Sequence, residues 1–480
     1  MAVSVPHCSP EEGTYDPRKV HHDIWYVLRI CFVAALGGFL FGFDTAVISG
    51  SIDALNTLFA LTPAQTGWAV SNVVIGCVIG ALLAGKIAGS LGRKKALCIA
   101  AILFIVSIVG VALSYSFSAF VSYRMIGGVA VGLASVVSPM YMSEVAPKDM
   151  RGRAVGMQQF AIVLGQSVVF FTNYLIARGM PQEWIVNTGW RWMFCVGIIP
   201  CIAFLITVFL IPESPRWNVM KGFDNRAFKT FERISDASHA SHLVNDIKRT
   251  LAVEQQTGGK KINFRSPDLF FILMVGCTIA VFNQLTGINA IMYYAPEILK
   301  NVMGSMESAL LQTSLLGAVF VAGNALGLWL IDKTGRVKLM YTSSSGCALG
   351  LLIASFSLYT ETHGYLAVAG MMLFLVAFSV GWGVASWALV AEIFPNRMRS
   401  AGMGIAIGCQ WIAAFIVAQL FPMISENVWL KETFHGAFPL WIFVGFMLLA
   451  LWLIHRFIPE TKGVSLERIE QVVLSRRRTH

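Results

Sequence analysis

The sequence predicts an all-α membrane protein: twelve transmembrane helices in two six-helix halves related by a pseudo-two-fold repeat. Three observations predict it. Of 480 residues, 56% are apolar and only 13% charged, against about 25% charged in a soluble domain. The apolar residues fall in runs of about 20, the length a helix needs to cross hydrocarbon while bonding its own backbone. Motifs in the first half recur in the second at a nearly constant offset. The composition excludes a disordered chain, a disulfide-stapled secreted module and an ordinary soluble enzyme, whose polar surface could not coat so large an apolar fraction.

In chain order, residues 1–26 form a polar, cytoplasmic N-terminal segment holding Arg18 and Lys19. They lack the short apolar region and small-residue cleavage site of a signal peptide, so the first helix is expected to be retained. The first six-helix half covers 27–211, with span cores at 27–49, 66–88, 96–114, 119–141, 154–177 and 192–211. Residues 212–266 hold ten Lys/Arg and read as a cytoplasmic linker with short amphipathic helices. The second half covers 267–458, with cores at 268–298, 308–330, 339–358, 365–390, 401–423 and 437–457. Residues 459–480 form a cytoplasmic tail. Gly and Pro inside several spans are tolerated where neighbouring helices take up the freed backbone groups.

The net charge of +10 is not a nucleic-acid signature, because Lys and Arg sit in short clusters between the apolar runs. Only Arg178, Arg191, Lys300 and Lys431 fall near predicted outer loops, and Arg124 is intramembrane. That bias places both termini in the cytoplasm. The cysteines lie mostly within apolar runs, with no Cys-x-x-Cys and no Cys/His cluster, and read as inert buried thiols. No phosphate-binding loop, dinucleotide fingerprint or His-Glu-x-x-His is present, so neither an enzyme nor a cofactor or metal is expected.

The repeat is concrete. Glu144 precedes Arg151 by seven, as Glu392 precedes Arg399, and the two Glu are 248 positions apart. Gly92-Arg93 recurs as Gly335-Arg336, and Pro212-Glu213 as Pro459-Glu460. A doubled six-helix unit with a long central linker is the layout of the major facilitator superfamily, whose halves rock about a midplane site.

Further motifs narrow the resemblance. They include Gly42-Phe43-Asp44-Thr45, Arg124-Met125-Ile126-Gly127-Gly128, Pro212-Glu213-Ser214-Pro215-Arg216, Tyr293-Tyr294-Ala295-Pro296-Glu297 and Pro459-Glu460-Thr461-Lys462-Gly463. In this order and spacing the chain resembles a sugar porter of that superfamily, most similar to bacterial D-xylose–proton symporters. The resemblance runs from about residue 27 to 470.

Asp44, near the outer end of the first span, is costly in hydrocarbon, about 3 kcal/mol on insertion scales. Arg124 is its candidate partner. A buried Arg favours an ionised neighbouring carboxylate, and separating the two favours its protonated form. The resemblance assigns the pair to proton coupling; the plainer alternative is a static ion pair. The xylose symporters carry an acidic residue in span six where this chain has Gly197, which puts any route through that carboxylate in question.

Amide side chains both donate and accept, which suits a sugar hydroxyl. Gln159 and Gln166 lie seven apart on one helix face. Gln284, Asn289 and Tyr293 surround Gly287, where a helix can break and open its backbone to a cavity. Trp387, Gln410 and Trp411 lie in late spans. The resemblance implies that these positions, with Phe41, line a sugar pocket. Asn283 replaces a Gln of the xylose symporters. Tyr294 and Trp382 read as packing residues.

The repeated loops read as an inner gate: Arg93, Glu144 and Arg151 in the first half, and Asp332, Arg336, Glu392 and Arg399 in the second. Opposite charges there can latch the inner helix ends while the carrier faces outward. Gly89 and Ser90 replace the family's usual Asp and Arg, so an asymmetric gate is expected.

The resemblance therefore implies proton-coupled uptake of a monosaccharide, D-xylose or a related pentose or hexose, by alternating access. One proton falling through roughly 100 mV supplies about 2.3 kcal/mol, enough for roughly a 45-fold sugar gradient. The rivals are a uniporter without proton coupling and, at a greater distance, a transporter-like sugar sensor. The expected partners are the sugar, the proton and the lipid bilayer, for a chain acting as a monomer. The absence of Asn-x-Ser/Thr sequons favours a bacterial inner membrane.

Overall fold

The computed structural model describes residues 23–147, 150–256, 266–361, 364–395, 398–461 and 473–474. Among them it is nearly all helical and contains twelve helical segments long and apolar enough to cross a membrane. Spans 1 to 6 are Ile24–Gly50, Pro63–Leu91, Arg93–Ala112, Phe117–Val145, Gly156–Ala177 and Gln182–Leu210. Spans 7 to 12 are Pro267–Lys300, Met306–Ile331, Arg336–Thr360, Gly364–Ile393, Ala401–Ser425 and Phe438–Phe457. The protein is a multi-pass membrane protein.

Local chemistry sets where these helices start. The Asp23 carboxylate accepts from the Tyr26 N–H at the start of span 1. Thr62 and Gln65 close a capping box ahead of span 2, with Pro63 in its first turn. Ser116 and Ser305 cap spans 4 and 8 more simply, each hydroxyl accepting from the backbone N–H three residues on.

Lipid gives helices no hydrophobic reason to associate, so close backbone approach must hold them. Spans 1 and 5 show this: a Cβ on Gly42 would lie 1.8 Å from the Ile162 carbonyl oxygen, and one on Gly165 would lie 2.1 Å from that of Phe39. Pairings repeat between the halves. Span 1 packs on span 5 as span 7 packs on span 11, and span 2 on span 4 as span 8 on span 10. The halves meet where span 2 packs on span 11 and span 5 on span 8. Apolar side chains such as Leu82, Ile199, Phe209 and Trp452 point outward, toward where lipid would lie.

Two spans are broken. Span 7 consists of helices Pro267–Leu285 and Ile288–Met303, interrupted at Gly287, whose φ of +87° a side chain would resist. Span 10 consists of Gly364–Val380 and Ala385–Ile393. The break in span 7 falls at Gly287, where the sequence suggested one, while the break in span 10 interrupts the core read at 365–390; at both, backbone N–H groups turn to local acceptors, as Gly287 does to the Gln284 carbonyl and Trp382 to Ser343 Oγ. The linker forms helices Pro215–Met220, Asp224–Ile234 and Ala237–Gln256. Their buried Ala227, Phe231 and Ile234 join the first half's core, and the Ile234 carbonyl accepts from the Asp23 N–H at 2.8 Å.

The halves are joined at the end carrying Asp53 and Lys300. Gln419 of span 11 accepts from the Ser71 hydroxyl at 2.8 Å and donates to the Ala64 carbonyl at 2.9 Å. Lys300 Nζ lies 2.8 Å from Asp53 Oδ1. Gly317 of span 8 sits against Ser167 and Phe170. Toward the end carrying Arg93 and Arg336, Gly85, Gly156, Gly404 and Gly408 face open space, since a Cβ on any of them would meet no atom within 4 Å.

Candidate functional site

Asp44 occupies the last helical turn of span 1 before a 3-10 turn at Val47–Gly50. Arg124 comes from span 4. Both are buried, at 4% and 0% exposure. Arg124 Nη1 donates to Asp44 Oδ2 at 3.0 Å and to the Asp44 carbonyl oxygen at 2.9 Å. Its Nε and Nη2 have no hydrogen-bond partner, and its Cζ stands 5.5 Å from the centroid of the Phe194 ring. The guanidinium is thus held by one of its three nitrogens. Burying two charges is compensated only by well-satisfied geometry, and this pair is incompletely satisfied. Gly197 is buried beside it; a Cβ there would lie 2.9 Å from the Phe43 ring and 3.0 Å from Ile108. The space for a span-six carboxylate is filled by these two side chains.

The break in span 7 organises a chain of amides. The Asn283 Nδ2 donates to the Trp382 carbonyl at 2.7 Å and to Ser386 Oγ at 3.1 Å. Its Oδ1 accepts from Gln284 Nε2 at 2.9 Å and from Gln410 Nε2 at 3.4 Å. Gln284 Oε1 in turn accepts from Asn289 Nδ2 at 2.6 Å. The interruption at Gly287 is what folds Asn289 back onto Gln284. Span 10 enters through its own break, which brings Trp382 and Ser386 under Asn283.

Phe41 and Trp411 face each other across the two halves, ring centroids 6.1 Å apart. Trp387 is 39% exposed. Gln159 and Gln166 are half-buried on span 5, and among the described residues neither side chain finds a hydrogen-bond partner. They are not joined to the span 7 amides. Tyr293, one turn beyond Asn289, is buried and lies against Thr45, next to Asp44. It places a side chain of the helix that carries Asn289 against the immediate neighbour of Asp44. Tyr294 stacks on Phe421 at 4.9 Å and donates to the Ala418 carbonyl. Trp382 is buried, with its Nε1 donating to Ser344. Both are packing residues in this structure. A cavity of about 690 Å³ lies at the Asp53/Lys300 end, and none of the expected sugar-pocket residues lines it.

The loop charges are duplicated in detail. Arg93 Nε and Nη2 donate to both oxygens of Glu144, at 2.9 and 2.7 Å. Ser214 also bonds Glu144. Glu213 accepts from the backbone N–H groups of Arg93 and Lys94, capping span 3. In the second half Arg336 Nη2 bonds Glu392 at 2.9 Å, Thr461 bonds Glu392, and Glu460 caps span 9 through the N–H groups of Arg336 and Val337. Gly92 and Gly335, with φ of +101° and +95°, turn the chain between spans at both places. Each cluster lies within one half. The copies differ, because Arg336 Nε is buried without a partner. The side chains of Arg151, Asp332 and Arg399 lie outside the described residues.

Sequence reasoning passed over Asn283 as a site residue, although it is the node of the amide chain. It also left Glu213 and Glu460 without a role, although their repeat was visible. Asp53 and Gln419 carried no sequence signal at all.

A two-half helical bundle with a buried charge pair inside the first half and a chain of amides on a broken helix inside the second defines a secondary transporter. The family described as "Sugar (and other) transporter" matches residues 30–473, and the chain belongs to it. It is 38% identical to the D-xylose-proton symporter of Escherichia coli K12, over 93% of this chain and 95% of that one. It is 36% identical to the arabinose-proton symporter of Bacillus subtilis, over 94% and 96%. The inward open conformation of the xylose transporter XylE from E. coli superposes with a TM-score of 0.83 at 36% identity, covering 93% of this chain and all of that one.

Proposed function

We propose that this protein is a proton–monosaccharide symporter working by alternating access, with D-xylose or a related pentose or hexose as substrate. Asp44 carries the proton, and Arg124 senses its charge. Gln284, Asn289, Gln410 and Asn283 read the sugar hydroxyls, while Phe41, Trp387 and Trp411 supply faces for its C–H surface. Gln159 and Gln166, unpartnered on span 5, complete the pocket when the halves close on a sugar. The chain acts as a monomer in a bacterial inner membrane with both termini cytoplasmic. The Asp53/Lys300 end is then the outer one, and the clusters around Glu144 and Glu392 sit at the inner gate.

The observation that supports this most directly is Tyr293. It stands on the same helix as Asn289 and against Thr45, beside Asp44, so a sugar that reorders span 7 reaches the charge pair through a single side chain. The test is purified protein in vesicles with a pH dye inside, challenged with a panel of aldoses and ketoses. The reading expects one subset of sugars to carry protons in. A uniporter is the second reading, favoured by the filled space at Gly197. It expects the same sugars to exchange with no pH change.

A further inference from the structure

We propose that Lys300 is the moving part of the outer gate, exchanging Asp53 of the opposite half for Glu297 of its own helix as the gate opens. The inference rests on the alternating-access reading and goes beyond it to the groups that hold the outer side shut.

Lys300 ends span 7, in the second half, and Asp53 lies on the short helix Ile52–Phe59 of the first half. Their contact, 2.8 Å, is an ion pair between the halves. Gln182 Nε2 donates to the other Asp53 oxygen at 2.9 Å, so the carboxylate is aimed at Lys300. The pair borders the cavity of about 690 Å³ between spans 7 and 11 and the first half.

The other charges around this cavity are already matched. Lys431 pairs with Glu426 at 3.1 Å, and His435 with Glu361 at 2.6 Å. Glu297 is the exception: its Oε1 is buried without a hydrogen-bond partner. It lies three residues before Lys300 on a continuous helix, Ile288–Met303, a spacing that places the two side chains on one face. While Asp53 holds Lys300, Glu297 has no hydrogen bond of its own and feels Lys300 only at a distance. When the halves part, Lys300 is released to Glu297, and no cation is stranded. Each state thus leaves one carboxylate without the lysine. That is the condition for a gate that rests near balance in both positions.

The arrangement predicts opposite effects from two neutralisations. Removing the Asp53 charge favours the open outer side, and removing the Glu297 charge favours the closed one. Amide hydrogen exchange on the full-length protein in lipid nanodiscs reads this at segments 63–71 and 415–425, the outer ends of spans 2 and 11. D53N is expected to raise exchange there by about two- to fivefold, the range for a partly exposed ion pair. E297Q is expected to lower it. In a K300Q background the effect of E297Q is expected to shrink to less than half, because the residue both acids compete for is gone and only the repulsion between Asp53 and Glu297 remains.

Exchange in the linker helices serves as the folding control. If E297Q raises exchange throughout the chain, E297D replaces it in the same pair of backgrounds. Shifts of the same sign for D53N and E297Q, or an effect of position 297 as large without Lys300 as with it, would overturn the proposal. The readout needs neither sugar nor proton. Opposite shifts in a protein that moves no sugar would therefore count against the transport reading and leave the gate standing.

Discussion

Arg124 holds Asp44 through one nitrogen, Nη1, which bonds both the carboxylate and the carbonyl oxygen of the same residue. The carbonyl bond does not depend on the charge of the side chain. Protonating Asp44 therefore loosens the ion pair without releasing Arg124 from span 1. A guanidinium with two free nitrogens is poised to find other acceptors once the carboxylate is neutral. A fully satisfied, bidentate pair would be harder to break. In physical terms the incomplete pairing makes the couple suitable for cycling.

Gln284→Ala removes a link that both donates to Asn283 and accepts from Asn289. Sugar affinity should fall by about 1–3 kcal/mol, one to two decades in Kd, as polar groups lose their partners. Titration calorimetry on the purified variant checks this. Unchanged affinity removes Gln284 from the site.

Gly197→Glu restores an acid in span six at a position whose Cβ meets Phe43 and Ile108. Overpacking of this kind costs about 1–3 kcal/mol, so the melting temperature should drop. Adding Phe43→Ala should recover part of it. A variant as stable as the parent would mean that the space is softer than the packing indicates.

The two loop clusters should respond unequally. The Arg93–Glu144 pair is bidentate, with side chains 8% and 9% exposed, while Arg336–Glu392 is single and 17% and 28% exposed. Arg93→Ala should cost about 3 kcal/mol, as for a broken buried pair, and Arg336→Ala about 1 kcal/mol. Thermal unfolding of both variants in the same detergent decides. Equal losses contradict the asymmetry.

The spans, the doubling and the Asp44–Arg124 pairing were legible because each rests on a local signal. A run of apolar residues, a repeated Glu at fixed offset and a lone intramembrane acid all survive without tertiary information. What was not legible depends on which helix lies beside which. Asn283 looked like one more polar residue until span 10 brought the Trp382 carbonyl and Ser386 under it. Asp53 looked like a loop acid until Lys300 arrived from the other half. The inner latch was expected to tie helices as the carrier faces outward. The pairs Arg93–Glu144 and Arg336–Glu392 bind spans within each half, in a structure joined at the opposite end. Charges and motifs in a sequence do not reveal which partner is across an interface and which is within one unit.

The central claim is that Asp44 couples the proton to the sugar, and Asp44→Asn tests it most directly. Asn keeps the size and the hydrogen-bonding capacity of Asp44 but cannot ionise. It leaves Arg124 without its anion, which costs about 3–5 kcal/mol for a fully buried pair, so folded yield is measured first. Concentrative uptake and counterflow are then measured on the same vesicles. The account predicts that Asp44→Asn no longer accumulates sugar against its gradient but still exchanges it, because the amides on spans 7 and 11 are untouched. If Asp44→Asn accumulates sugar as the parent does, Asp44 is not the coupling group and the pair with Arg124 is structural.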